Sequence, residues 1–552
     1  MDKRKKIFAK KIVVTSLIVS AAMVVAHNRG DVDMRFDGPS AKQARTSESL
    51  EVNPAIKPAI YVSPLSAETL RNREFSIESQ CGASWDAQQV ESYDGASGPA
   101  QSFVSRHETR VGYHVDVGCS GTLISDDLFL SAGHCGYAVG HRVRFDYQNS
   151  PQGILRAQKE FTVTQVLEQE NNTSWDYSIV RLNGSPGREF GHANIAATDP
   201  ANGSRLTIIG HPDGRPKEIH AGPLLDYASA VGSSWFRHQV DTVGGNSGSG
   251  VLNDDGQLIG VHTNAGCNVS VPIQGNSAMR MTSLVTRSPI LQSLTRNRIL
   301  WRNTNGNVSL WLTNAVGDLI SGREYAPGNE WTALGMTENR ILWRHNDSRA
   351  VLWVLDETGN ITGSVTHGPY AGWTPVSYAN NRIVWRHNDG RVSLWNVDSN
   401  GNLISGKEYG PYAGWVAASY GNNRLLWRTE SSGQAWLWQL DDADNFLNAT
   451  AHTTSAGWSV QTYSNGEMFW RHSDGTAAIW SMNRAGQRLT SVSYGPYSNW
   501  TPMSLGDRKL LWRNTDGSAS YWTVNSDGAF KDVRTHGPYA GWTPMLTAGI
   551  TR

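Results

Sequence analysis

The chain has no charge to spare in either direction, with 49 Lys and Arg against 49 Asp and Glu. That balance removes the global signature of a nucleic-acid binder or of a partner with a strongly charged surface. Cysteine is scarce. Cys81, Cys119, Cys135 and Cys267 are the full set, and none is spaced as CxxC, which argues against a structural metal site. After residue 26 no apolar run is long enough to cross a bilayer. The first half also lacks a helical period between its apolar segments, which excludes a parallel α/β sheet. What the chain does have is glycine, 55 residues, and tryptophan, 22 residues. With 39% hydrophobic residues this is the composition of a turn-rich, all-β protein.

At 552 residues the chain exceeds one ordinary domain. Residues 1–26 read as a secretory signal, with six Lys or Arg near the start, an apolar stretch over 12–25 and small residues for cleavage after Ala26. The stretch is about 14 residues, short for a membrane span. The mature protein is expected to be secreted, with a periplasmic passage in transit and no membrane contact after signal removal. Residues 27–73 are polar, proline-dotted and without a strand or helix period, and read as a pro-segment or flexible leader. An oxidising compartment suits the four cysteines, for which three pairings are open.

Over 74–296 short apolar runs alternate with Gly, Asn and Asp turns. Strands are predicted over 102–104, 119–124, 128–130, 141–145, 179–182, 206–209, 250–252 and 258–262, the rhythm of a barrel or sandwich. Residues 241–250 read DTVGGNSGSG. Ser247 sits there among glycines that let backbone N–H groups and a hydroxyl converge, as acyl transfer requires. SAGHC (131–135) places His134 between small neighbours, and 176–182 places Asp176 at the mouth of an apolar strand. Alone, the His reads as a packed ring and the Asp as a turn residue. Together the three are a nucleophile, a base and an orienting carboxylate. Gly245-x-Ser247-x-Ser249 breaks the G-x-S-x-G elbow of the α/β-hydrolases.

The segments CSGTLIS (119–125), SAGHC (131–135), DYSIV (176–180) and GNSGS (245–249), in the order His, Asp, Ser, resemble the chymotrypsin-fold serine peptidases. Within them the chain is most similar to the bacterial glutamyl-endopeptidase-like branch, over 81–294. The resemblance implies a double β-barrel that cuts proteins or peptides with no metal or cofactor. It implies that Ser247 attacks, that His134 carries the proton, that Asp176 orients His134, and that the N–H groups of Gly245 and Ser247 form the oxyanion hole. It further implies a Cys119–Cys135 disulfide, which leaves Cys81 with Cys267. Two positions depart from the pattern. Asn246 stands where the digestive enzymes keep an aspartate that receives a new N-terminus, so that activation switch is not implied. Any zymogen block would then be steric, by the pro-segment. Gly250 stands where proline is usual in the bacterial branch.

Specificity rests on three positions. Thr242 and His262 match those that line the acidic-side-chain pocket in the glutamyl branch, where a hydroxyl and an imidazole can bind a carboxylate. Asp241 matches the position at which trypsin-like enzymes hold Lys or Arg. The resemblance favours cleavage after Glu or Asp, with cleavage after Lys or Arg as the alternative. A rival from another class is a lectin-like binding protein with an inactive peptidase domain.

From 297 to 552 the composition changes, and 19 of the 22 tryptophans lie there. They form three phased series: Trp301, Trp343, Trp385, Trp427, Trp470 and Trp512; then Trp311, Trp353, Trp395, Trp438, Trp480 and Trp522; then Trp331, Trp373, Trp415, Trp458, Trp500 and Trp542. The spacing is 42 residues with one insertion, and an arginine follows each member of the first series. Such a period marks a repeat architecture. Each unit reads as four strands, for example 382–385, 392–396, 403–408 and 415–420, which predicts a six-bladed β-propeller, with tandem β-trefoils as the alternative. The repeat resembles the Trp-rich tectonin-like or tachylectin-like propellers. That resemblance implies a carbohydrate or cell-surface ligand on the GPYAGW segments; the competing reading makes these tryptophans interblade core.

Overall fold

A computed structural model describes residues 80–82, 84–227, 234–267, 275–337, 339–429 and 433–549. The expected signal (1–26) and the expected leader (27–73) lie outside these residues. The described chain is nearly all β, as its composition implies.

Six strands close the first barrel: β1 (Val111–His114), β2 (Cys119–Leu123), β3 (Leu128–Ser131), β4 (Arg142–Phe145), β5 (Lys159–Asn171) and β6 (Asp176–Leu182), in the order β1-β2-β3-β6-β5-β4. Leu123, Phe129, Val143, Phe145, Val163, Val180 and Leu182 fill it. Six more close the second: β7 (Arg205–Gly210), β8 (Glu218–Asp226), β9 (Trp235–His238), β10 (Gly250–Leu252), β11 (Gln257–Asn264) and β12 (Asn276–Arg280). Their order is β7-β8-β9-β12-β11-β10, with β10 returning to β7. Leu206, Ile208, Phe236, Val251 and Ile259 fill that one. A third cluster lies between the barrels, where Leu130 and Ile179 of the first meet Leu258, Val261 and Met279 of the second. Two short helices, Met281–Arg287 and Pro289–Leu294, cover it with Leu284 and Leu291.

The segment around 102–104 corrects the sequence reading. It belongs to a helix, Gln101–His107, not a strand. Phe103, Val104, Arg106 and His107 form its buried face, offsets of one, three and four from Phe103 that suit a helix but that a three-residue window cannot show.

Residues 297–549 form six four-stranded sheets. The first strands of successive sheets, Trp331–Met336, Trp373–Ala379, Trp415–Gly421, Trp458–Ser464, Trp500–Gly506 and Trp542–Gly549, adjoin one another in a closed ring. This is a six-bladed propeller, and it replaces the trefoil alternative. The blades are offset by one strand from the sequence unit. Trp542–Gly549 pairs with Asn297–Asn303, so the strand nearest the C-terminus completes the blade that opens the repeat. Each first-series tryptophan is at most 1% exposed. Each packs on the second-series tryptophan of its own blade, with ring centroids 4.7–5.3 Å apart, a geometry that adds to area burial.

A second periodic feature stitches the blades. Three residues before the buried tryptophan stands a cation that bonds the outer hairpin of the next blade. Arg298 donates to Asp356 O, Arg340 to Ser399 O, Arg382 to the Asp444 carboxylate, Arg424 to Arg484 O, and Lys509 to Ala315 O. The sixth position is Glu467. There Arg106, from the helix beside the first barrel, enters between the blades, donates to Ser481 Oγ and forms an ion pair with Asp527.

The tight turns after the inner strands face the barrels. Asn380, Asn422, Asn465 and Asp507 all have φ of 43–52°. Asn422 N–H donates to Asn380 Oδ1 and Asn465 N–H to Asn422 Oδ1, 3.0 and 2.7 Å. Asn380 then donates to Asp126, and Asn194 to Asp507, 2.8 and 2.6 Å.

Candidate active site

His134, Asp176 and Ser247 come from three places in the fold. His134 lies on a single 3₁₀ turn after β3, Asp176 opens β6, and Ser247 precedes β10. Gly133 brings the first two together, because a Cβ there would lie 1.7 Å from Glu170 O. His134 N–H donates to Asp176 Oδ1 at 2.8 Å, and His134 Nδ1 lies 2.7 Å from Asp176 Oδ2. The far ring nitrogen, Nε2, is 2.8 Å from Ser247 Oγ. One hydrogen-bonded line thus runs from a buried carboxylate through an imidazole to a hydroxyl, and a hydroxyl so placed can pass its proton to the ring as it attacks.

The loop before Ser247 is held by its own backbone. Asp213 N–H donates to Gly244 O at 2.5 Å, and Ser120 Oγ donates to Gly245 O at 2.7 Å. A trans peptide points its C=O and N–H in opposite directions, so the bond to Gly244 O turns the Gly245 N–H away from Asp213. Gly245 has φ 96°, and a Cβ there would meet His211 O at 2.3 Å, so no other residue fits. Asn246 is fully buried, and its side chain lies against Gly210.

Both cysteine pairs are disulfides, Cys119–Cys135 and Cys81–Cys267. The second draws the N-terminal segment onto Asp241. Asp241 accepts from Cys81 N–H at 2.6 Å and from Asp86 N–H at 3.4 Å. Burial pushes its carboxyl up to about 6. Thr242 and His262 are fully buried. His262 runs beside the nucleophile loop, accepting from Gly248 N–H and donating to Ser249 O.

Two supporting residues were not found from the sequence. Asn276, on β12, donates to Thr242 Oγ1 at 2.8 Å and to Val240 O at 3.0 Å, while its Oδ1 accepts from the N–H groups of Gly266 and Cys267. The Thr242 hydroxyl, having accepted, keeps its own hydrogen to donate. The other is His238, on β9. Its Nδ1 accepts from Val240 N–H at 3.2 Å and therefore carries no proton. Burial holds this ring neutral, well below the usual imidazole range. Its hydrogen is then on Nε2, 3.2 Å from His262 Nδ1. With His262 Nδ1 placed to accept from His238, a hydrogen of the His262 ring is on Nε2. Both residues resemble ordinary strand residues in sequence, and no local signal marks them.

Among the described residues, one group of His, Cys, Asp or Glu has three ligating atoms within 4.8 Å of one another: Cys119, His134 and Cys135. Its sulfurs are joined in a disulfide, and both ring nitrogens of His134 are engaged. That donor set does not fit a metal ion.

Residues 119–261 match the family model of the trypsin-like peptidase domain. An extracellular metalloprotease of Bacillus subtilis (strain 168) is 27% identical over 169 residues, 28% of this chain and 53% of that protein. Exfoliative toxin A of Staphylococcus aureus is 32% identical over 111 residues, 19% of this chain and 39% of that protein. The chain thus spans about half the length of the first relative and less of the second. A solved structure of neuropsin, a serine protease of mouse brain, aligns at 19% identity with a TM-score of 0.29, over 33% of this chain and 94% of that one. The chain carries a trypsin-like peptidase domain, built as two six-stranded barrels and followed by a six-bladed propeller.

Proposed function

We propose that the protein is an exported serine endopeptidase. The line Asp176–His134–Ser247 carries this reading. Ser247 Oγ attacks the scissile carbonyl as His134 Nε2 takes its proton. Asp176 holds the Nδ1 hydrogen and stabilises the imidazolium. The N–H groups of Gly245 and Ser247 bind the oxyanion. The same proton then goes to the leaving amine, and water repeats the cycle on the acyl-enzyme. No step needs a metal.

The substrate side chain before the cut bond is Glu or Asp in this reading. Its support is the direction of the hydrogens: Thr242 and His262 each have one to donate, and a carboxylate only accepts. Asp241 is already bound by two backbone N–H groups of the N-terminal segment, which weakens the case for Lys or Arg.

The propeller is assigned to surface glycans. Within the GPYAGW-type segments Trp373 and Trp415 are half-buried and Trp542 is buried, so the platform rests mainly on the more exposed tyrosines of the GPY turns, Tyr370, Tyr412 and Tyr497. Tyr497 borders a cavity of about 600 Å³ with His472, Asp474 and Trp500. Repetition around the ring would favour multivalent binding.

Digestion of a mixed peptide library, with Ser247→Ala as control, tests the peptidase reading. Expected are new termini after Glu or Asp that the control lacks. Cuts after Lys or Arg overturn the specificity alone. No cutting and no reaction with an organophosphonate probe overturns the activity and favours a binding protein.

A further inference from the structure

Where the helix Gln101–His107 meets the propeller lies a small cavity of about 40 Å³. Five arginines border it: Arg106, Arg110, Arg188, Arg424 and Arg484. Three have carboxylate partners. Arg106 meets Asp527, Arg188 meets Asp126, and Arg484 meets Asp146 and Glu189. Arg110 and Arg424 have none within ion-pair distance among the described residues. Arg110 is 3% exposed and Arg424 is 4% exposed. The Arg110 side chain meets His107 Nδ1 at 3.1 Å, and its buried Nε has no partner; the Nε and Nη1 of Arg106 are in the same condition. Arg424 bonds only the Arg484 carbonyl and lies over the Tyr463 ring.

A buried guanidinium without a counter-charge is costly. Glu189 also lines the cavity but is engaged by Arg484 and Lys159, so the two unpaired guanidiniums call for a further negative group. Glu467 and Asp507 act on Arg110 from beyond contact, and the neighbouring Arg106 and Arg508 oppose them. The volume is a few times the minimum of about 10–15 Å³ that holds one water. Space of this size suits a small inorganic ion better than a large organic acid.

We propose that this seam binds a monovalent inorganic anion of chloride size, shared by Arg110 and Arg424, as a fixed part of the junction between peptidase and propeller. Chloride then acts on the folded protein as a stabilising ligand. Gluconate, which the cavity excludes, does not.

Two measurements on the full chain test this. In crystals grown with sodium bromide, an anomalous difference peak is expected between Arg110 and Arg424; density there without anomalous signal means water and overturns the proposal. In solution, the unfolding midpoint is expected to rise saturably with chloride at constant ionic strength made up with gluconate, by on the order of 5 °C. Arg424→Gln should lose most of that rise. Identical curves in chloride and gluconate overturn the proposal whether or not the variant folds.

Discussion

The guanidinium of Arg106 lies 3.2 Å from Asp527, across the boundary between the peptidase and the propeller. It fills the one blade junction at which the propeller's own sequence puts Glu467 instead of a cation. The two parts therefore complete one another's polar contacts. Arg106→Leu should strip a buried partner from Ser481 and Asp527 at once and remove a positive charge that acts on Glu467, costing about 2–3 kcal/mol. A drop in unfolding midpoint, with easier proteolysis between the fifth and sixth blades, would bear this out; an unchanged midpoint would count against it.

The triad makes a sharper demand. Ser247→Ala and Asp176→Asn should each lower kcat by about 10⁴-fold or more while leaving the fold intact. Kinetics on a peptide ending in a chromogenic group, with circular dichroism of each variant, reads both quantities.

The proposed specificity makes Thr242 depend on Asn276, which donates to its hydroxyl. Thr242→Val should cut kcat/KM for a glutamyl substrate by about 10-fold or more, as expected for a lost hydrogen bond to a charged group. Asn276→Ala should do so without touching the substrate, and Thr242→Ser should restore most of the loss. The ratio of glutamyl to glutaminyl turnover is the discriminating readout, because a general loss of stability would lower both alike.

Acid should unfold the protein early. Burial holds His192 at about 4, His114, His211 and His220 at about 3, and His107 and His238 well below their usual range. Unfolded imidazoles titrate near 6.5. The folded pKa of each is depressed, so its contribution is present above about 6.5 and is lost as pH falls toward the folded value. At about pH 5 this amounts to about 2 kcal/mol for each ring. Glu467, pushed up to about 7 by burial, works the other way, losing its contribution as pH rises toward 7. Six rings outweigh one carboxyl, and their sum rivals the whole stability of a domain. The unfolding midpoint should fall steeply from about pH 6.5 to about pH 5. A flat profile would contradict the burial of these rings.

The sequence carried the triad plainly, because each member sits in its own short segment of small or apolar neighbours. It carried the repeat as well, since a period of 42 survives any error in individual strands. Other features were not legible for definite reasons. Met281–Arg287 and Pro289–Leu294 are too short to show a helical period. Asn276 and His238 act through contacts 34 and 24 residues away in sequence, on strands that look like any other. Arg106 is one arginine in a helix, and its meaning appears only beside the Glu467 exception. The repeat also gave no starting point for the blade, because a period has no origin until a strand closes the ring.

That closing strand has a consequence for how the molecule is made. Asn297 pairs with Gly549, so the edge laid down directly after the peptidase waits for the far end of the repeat. Until Trp542–Gly549 is synthesised, Asn297–Asn303 is an open sheet edge and Trp301 lacks the cover of Trp542 and Tyr539. A chain stopped short of its last strand holds every other blade yet cannot close. The propeller is in effect a length gauge, and the piece it measures is the whole repeat.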